Sequence, residues 1–407
     1  MTQRRLSILF ILFTVMINSM GIGLMMPVMP DLIQEVNGGD LAQAAIWGGV
    51  LSTTYAVMQF LFGPAMGGLS DRYGRRPVLL VSIAVMALDY VVMALAGSMW
   101  LLLATRIVGG ITAATQSTAT AYMADISTTA ERTRNFGLVG AAFGVGFILG
   151  PLVGGLLAEY GTRAPFWAAA ALGTANLLLG ALVLRESVTD DTRRAFEWQR
   201  ANPLGAVRQL GQLPGVRQLL FMYFLYQVAF SVYPSVWAYF GQAQFGWTPA
   251  LIGLSLALFG VTMALVQGVL IGPILQRLGE RRAILAGYTI AAVSYGTLSV
   301  LTSGPVALIL TPLAALAGLI LPALQGIMSR RVPANAQGEL QGAITSASAL
   351  AMMLSPLVMT GTFARFTAAD APVYLPGAPF VLACGLTVLG GLLFLTQARR
   401  RAPADPT

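Results

Sequence analysis

The chain has no histidine, no lysine and a single cysteine. Without histidine it lacks the usual neutral metal ligand and the one side chain whose unperturbed titration falls near neutrality, so any proton-handling group must be a carboxylate set by its surroundings. One cysteine, Cys384, excludes an intramolecular disulfide and any cysteine metal site. Charge is scarce: 10% of the 407 residues carry one, against about 25% in soluble domains. The sequence also offers no nucleophile–base pair, metal cluster or phosphate-binding loop, which argues against an enzyme, and no cofactor is expected.

What the chain has instead is apolar length. Hydrophobic residues make up 56% of it, and the mean hydropathy is +0.74. A bilayer-spanning helix needs about 20 mostly apolar residues. Twelve segments qualify: 6–30, 44–68, 77–97, 100–124, 134–160, 165–184, 217–240, 249–274, 282–302, 305–328, 338–366 and 374–397. The first is longer than a signal-peptide core and has no small-residue cleavage site, so it is expected to remain. Loops such as Gly97-Ser98 are short enough to force antiparallel hairpins. The expected fold class is an all-α polytopic membrane protein.

A net charge of +8 suggests a nucleic-acid partner until the arginines are placed. Arg4 and Arg5 precede the first span, and Arg399 to Arg401 follow the last. Arg72, Arg75, Arg76, Arg132, Arg134, Arg277, Arg281, Arg282, Arg330 and Arg331 fall in alternate short loops. The other side has only Arg163 and Arg365, with Asp31, Glu35 and Asp40. The positive-inside rule then puts both termini in the cytoplasm. The basic charge marks topology, and no nucleic acid is expected.

The loop Gly67-Gly68-Leu69-Ser70-Asp71-Arg72-Tyr73-Gly74-Arg75-Arg76-Pro77 recurs in degraded form 205 positions later, at Gly272 to Arg282. That offset carries Arg72 onto Arg277, Gly74 onto Gly279, Arg76 onto Arg281 and the distant Pro151 onto Pro356. One offset serving separate landmarks indicates an internal duplication, and a duplicated apolar chain points to a transporter. The expected domains are a six-helix bundle over 1–184, a cytoplasmic linker over 185–216 and a second six-helix bundle over 217–407. The linker carries Asp190, Asp191, Arg193, Arg194, Glu197 and Arg200 and would let the bundles rock. Asp71, Arg72, Gly74, Arg75 and Arg76 are the expected gate. The glycine permits a tight turn, and the charges can pair or cap a helix.

Asp89 and Arg106 are the charges that fall clearly inside spans, where such residues are costly and usually functional. Asp89 lies about 12 Å below the outer end of the third span and Arg106 about 9 Å down the fourth, at 1.5 Å per residue. A hairpin therefore puts them at similar depth, and they are the expected proton-coupling pair. The remaining polar inventory at depth is neutral. Asn18, Tyr55, Gln59, Gln116, Gln227, Tyr233, Trp237 and Gln325 suit a planar, partly apolar ligand with several hydrogen-bonding groups.

The glycine-rich loop resembles the loop signature of the major facilitator superfamily. Gly146, Gly150-Pro151 and Gly154-Gly155 match the antiporter motif of its twelve-span drug:proton exporters. Gly21 to Pro30, Leu88-Asp89-Tyr90, Leu321 to Gly326 and Gln337 to Gly342 are similar to the tetracycline-efflux branch. The resemblance implies the major facilitator fold, with twelve transmembrane helices in two pseudo-symmetric six-helix bundles. It also implies alternating access in a bacterial inner membrane and a monomer. Export of an amphipathic drug, tetracycline-like, in exchange for protons follows from the same resemblance. Asp89 matches an acidic residue functional in that branch, Arg106 the family's fourth-span arginine, and Gln59, Gln227 and Gln325 its cavity amides. Three ionisable positions of the branch are neutral here: Asn18, Met263 and Ala291. A metabolite exporter or uniporter without proton coupling is the alternative on the same fold. A non-transporting membrane receptor is a second alternative, and it would need a signalling domain that neither end offers.

Overall fold

A computed structural model of the chain describes residues 3–189, 193 and 215–399. Most of the expected linker lies outside these residues, as do Arg400 and Arg401. Every regular element among the described residues is helical. The chain forms two compact units, Met1–Pro203 with Trp247–Ala257, and Leu204–Gly246 with Leu258–Thr407.

The first unit is built from α1 (Gln3–Met25), α2 (Met29–Asn37), α3 (Leu41–Tyr73), α4 (Arg75–Leu95), α5 (Met99–Ile111), α6 (Thr115–Ile126), α7 (Thr129–Leu157) and α8 (Ala164–Val183). The second contains α9 (Arg217–Phe230), α10 (Val232–Phe245), α12 (Ile271–Val300), α13 (Gly304–Ala314), α14 (Ile320–Arg331), α15 (Gln337–Thr367) and α16 (Ala378–Arg399). Between them in sequence, α11 (Pro249–Leu265) contributes its first turns to the first unit.

Ten helices among the described residues are long and apolar enough to cross a membrane. They account for eleven of the twelve expected spans. The rod Pro249–Val300 holds two of them, joined across Gly279, whose backbone leaves helical values at φ 72°. The 100–124 span is made of α5 and α6, each too short to qualify alone, with a break after Thr112.

Local chemistry sets the helix ends. Asp40 accepts from the Gln43 amide at 2.8 Å to start α3. Ser98 does the same for Leu101 at 3.3 Å at the start of α5, and Thr128 and Glu131 form a capping box on α7. Such caps satisfy amide donors that have no partner within the helix. The duplication is legible in these ends. A shift of 205 residues carries the last residues of α1, α4 and α6 (Met25, Leu95 and Ile126) onto Phe230, Val300 and Arg331, the last residues of α9, α12 and α14.

Apolar side chains facing lipid give helices no hydrophobic reason to associate, so close backbone approach must hold them. The glycines of α7 supply it. Gly146, Gly150 and Gly154 lie at four-residue spacing against the α1 backbone at Met16, Met20 and Leu24. A β-carbon at Gly150 would sit 2.8 Å from the Gly23 Cα, and one at Gly154 would sit 2.8 Å from the Leu24 Cα. Gly155 faces the other way: a β-carbon there would come within 3.0 Å of Ala250 Cα, in the first turn of α11. Ser19 donates to the Phe143 carbonyl at 2.8 Å, and buried Thr14 bonds Asn176 at 3.0 Å, tying α1 to both α7 and α8.

Gly150→Ala is therefore expected to force α1 and α7 apart at a cost of about 1–3 kcal/mol. Its thermal unfolding midpoint in detergent should fall well below wild type. Gly63→Ala, where a β-carbon meets nothing within 4 Å, should leave the midpoint unchanged.

Candidate functional site

Asp89 stands six residues before the end of α4, and Arg106 seven residues into α5. The tight turn between these helices puts both about 10 Å from their outer ends. The side chains meet: Arg106 Nη2 lies 2.5 Å from Asp89 Oδ2, with the two side chains 10% and 9% exposed. The same Nη2 donates to the Met93 thioether at 2.8 Å. The guanidinium carbon sits 5.6 Å from the centre of the Tyr55 ring, within cation–π range. Asp89 Oδ1 and Arg106 Nε are buried and make no hydrogen bond among the described residues. The pair is thus closed on one side and open on the other. Gly109 packs beside the pair, where a β-carbon would make ordinary contact with Tyr55 at 3.5 Å and Asp89 Oδ2 at 3.6 Å.

A second cluster occupies the arginine-rich edge of the same unit. Arg75 Nη1 pairs with Asp71 Oδ1 at 2.5 Å and its Nε with Asp125 Oδ2 at 3.2 Å. Arg75 Nη1 also donates to Ser70 at 2.9 Å, and Ser187 donates to Asp125 at 2.9 Å. Arg76 reaches the Ala181 carbonyl at the end of α8, at 2.8 Å. Arg72 stands apart and stacks on the Tyr73 ring at 5.1 Å. Of the expected gate, the structure brings Asp71 and Arg75 together, hangs Arg76 on α8 and leaves Arg72 outside the network.

Glu186 was not anticipated from the sequence. Its carboxylate accepts from the backbone amides of Arg75 at 2.8 Å, Arg76 at 3.2 Å, Ser187 at 2.9 Å and Val188 at 3.1 Å. It caps α4 from a residue 111 positions away. Gly74, at φ 109°, clears the way, because a β-carbon there would fall 2.6 Å from Glu186 Cδ. An acidic residue just after a long apolar span, with a bare helix start elsewhere, is the signal that could have found it.

The expected ligand-facing residues divide between the units. In the first, Asn18, Tyr55, Gln59 and Gln116 are half-buried, and Gln116 Oε1 has no hydrogen-bond partner among the described residues. In the second, Gln227 and Gln325 are half-buried. Gln227 Oε1 is likewise unpartnered, while Gln325 donates to Tyr223 Oη at 3.3 Å. Tyr233 and Trp237 are 5% and 1% exposed. They pack in an aromatic cluster whose ring centres stand 4.9 Å (Tyr233–Phe259), 5.5 Å (Tyr233–Trp237) and 6.0 Å (Trp237–Phe380) apart. Met263 accepts from Gln267 at 3.4 Å and packs on Gly318, and Ala291 is buried. Ala291 thus packs in the core, while Met263 is half-buried.

The family model of the Major Facilitator Superfamily matches residues 11–217 and 219–407. The chain belongs to that superfamily. It is a multi-pass membrane transporter and not an enzyme. Among its relatives, the class C tetracycline resistance protein of Escherichia coli is 41% identical over 93% of this chain and 95% of that protein. Multidrug resistance protein 2 of Bacillus subtilis is 27% identical, over 87% of this chain and 88% of its own. The fold matches the crystal structure of a bacterial homologue of the human lysosomal transporter Spinster, with a TM-score of 0.79. That match is 17% identical and covers 98% of each chain.

The contact between Glu186 and α4 joins the junction of α3 and α4 to the chain that leaves α8. Glu186→Ala should remove the cap at a cost of about 1–2 kcal/mol. The amides of Arg75 and Arg76 should then exchange with deuterium roughly 5- to 30-fold faster, while α7 amides stay unchanged.

Proposed function

We propose that this transporter exports an amphipathic small molecule, tetracycline-like in shape and polarity, in exchange for protons. Its place would be a bacterial inner membrane, with both termini cytoplasmic and a monomer as the working unit. The observation that carries this reading is the half-satisfied ion pair of Asp89 and Arg106. The full-length likeness to tetracycline and multidrug resistance proteins supports the choice of cargo.

The chemistry follows from which atoms are engaged. Asp89 Oδ2 holds the guanidinium, so a proton adds at Oδ1, the oxygen with no partner. Neutralising the carboxylate leaves the Arg106 charge with only the Met93 thioether and the Tyr55 ring beside it. A buried charge that loses its counterion is strongly destabilised. Protonation thus favours a different arrangement of α4 and α5, and deprotonation restores the first. Transport is coupled when the bound molecule prefers one of these arrangements. The Asp71–Arg75–Asp125 network at the edge of the bundle would hold that side closed in one state. The amides Gln59, Gln116, Gln227 and Gln325 would face the cargo. Tyr233 and Trp237 would shape its pocket from behind, through the aromatic cluster.

Asn18, Met263 and Ala291 place the burden of coupling on the first unit, chiefly on Asp89. In inside-out vesicles energised by respiration, tetracycline with magnesium should discharge the pH gradient, and Asp89→Asn should abolish that discharge. A discharge that persists in Asp89→Asn at the wild-type rate would contradict the assignment. No discharge from folded wild-type protein would remove tetracycline as cargo and point to other drugs or to a metabolite.

A further inference from the structure

A cavity of about 480 Å³ opens between the first turns of α9 and the last turns of α16, within the second unit. Arg217, Gln218, Phe221 and Met222 line it from α9, and Leu393, Thr396 and Gln397 from α16. The spacing puts each set on one helix face. The lining is divided along its depth. Arg217, Gln218, Thr396 and Gln397 sit at the helix ends, where the arginine-rich edge of the protein lies. Phe221, Met222 and Leu393 stand one turn further into the apolar span. Phe221 is 50% exposed, and Leu389 and Leu392 on α16 are exposed as well.

Arg217 has no ion-pair or hydrogen-bond partner among the described residues, and no carboxylate lines the cavity. Past Gln397 the sequence continues with Arg399, Arg400 and Arg401. Thr396 donates its hydroxyl proton to the Leu393 carbonyl at 2.9 Å, so it offers the cavity an acceptor oxygen. A guanidinium fork matches a phosphate, and the hydroxyl and amide oxygens match donors beside that phosphate. The apolar wall one turn deeper matches a hydrocarbon chain. An anionic phosphodiester with a hydroxylated headgroup and an acyl tail meets all three conditions. A lipid with a cationic amine headgroup finds no carboxylate here.

We propose that this cavity is a binding site for one phosphatidylglycerol-type lipid, its phosphate on Arg217 and an acyl chain along Phe221 and Leu393. Basic pockets between transmembrane helices recognise anionic headgroups in this way. The cavity belongs to the second unit, Asp89 and the 67–77 loop to the first, and the proposal does not depend on what the transporter carries.

The full-length protein in detergent, titrated with phosphatidylglycerol or phosphatidylcholine and followed by native mass spectrometry, tests the site. Wild type should retain one phosphatidylglycerol in preference to phosphatidylcholine. Arg217→Gln should weaken that binding about fivefold, the effect of one surface arginine on an anionic lipid. Arg282→Gln, an exposed arginine of the same unit outside the cavity, should leave it unchanged. Equal retention of the two lipids by wild type would overturn the proposal even if Arg217→Gln fails to fold. So would equal losses in the two variants. Inorganic phosphate that displaces the lipid at equal concentration would make this a site for a free anion, and the lipid assignment would fall.

Discussion

Hydrocarbon offers no partner to a charge, and this constraint governs where the chain places its 24 basic and 16 acidic residues. Most stand in loops or at helix ends, where water or a headgroup can reach them. Asp89 and Arg106 stand about 10 Å inside, and they persist there because each is the other's counterion. Breaking such a pair by removing one member leaves an uncompensated buried charge. Protonating Asp89 is the chemical form of that removal, and it is reversible. On the proposed reading, the bundle around the pair answers a single proton. Its glycine-lined contact between α1 and α7 provides a smooth surface between packed helices.

The duplication shows what the scaffold shares and what each half does alone. The 205-residue offset matches helix ends and backbone exceptions alike, including Gly74 at φ 109° and Gly279 at φ 72°. It also carries Asp89 onto Ser294 and Arg106 onto Thr311, both buried hydroxyls, with Thr311 bonded to its own helix at Ala307. Among the described residues the deep charge pair thus exists in one half only. At the edge, Arg75 and Asp125 correspond to Glu280 and Arg330, which pair with opposite polarity. The contact survives while its signs are exchanged, so the two halves keep a clamp between equivalent helices and differ in the field it presents.

Much of this was legible in the sequence, for identifiable reasons. Span positions follow from apolar length, and the Asp89–Arg106 contact follows from depth across a three-residue turn. The duplication showed because Gly74 and Pro151 both have partners at one offset. Other features depend on tertiary approach and leave little local trace. Glu186 caps α4 across 111 positions, and Asp125 joins Arg75 although it stands near the end of a separate helix. Tyr233 and Trp237 carry polar tips that invite a ligand-facing role, while the packing of their rings on Phe259 and Phe380 leaves no trace in the local sequence. The break between α5 and α6 falls at Thr112 to Ala114, before the polar stretch Thr115-Gln116-Ser117-Thr118, which the apolar length of the 100–124 segment masks.

The central claim is that the carboxyl of Asp89 gains and loses the transported proton. Infrared difference spectroscopy of the protein in lipid, titrated across the pH range of transport, observes this directly through the stretching band of a protonated carboxyl. The account expects one such band to rise and fall in step with the pH dependence of transport and to vanish in Asp89→Asn. A titrating band that survives unchanged in Asp89→Asn, or an Asp89 that stays ionised throughout that range, would contradict it.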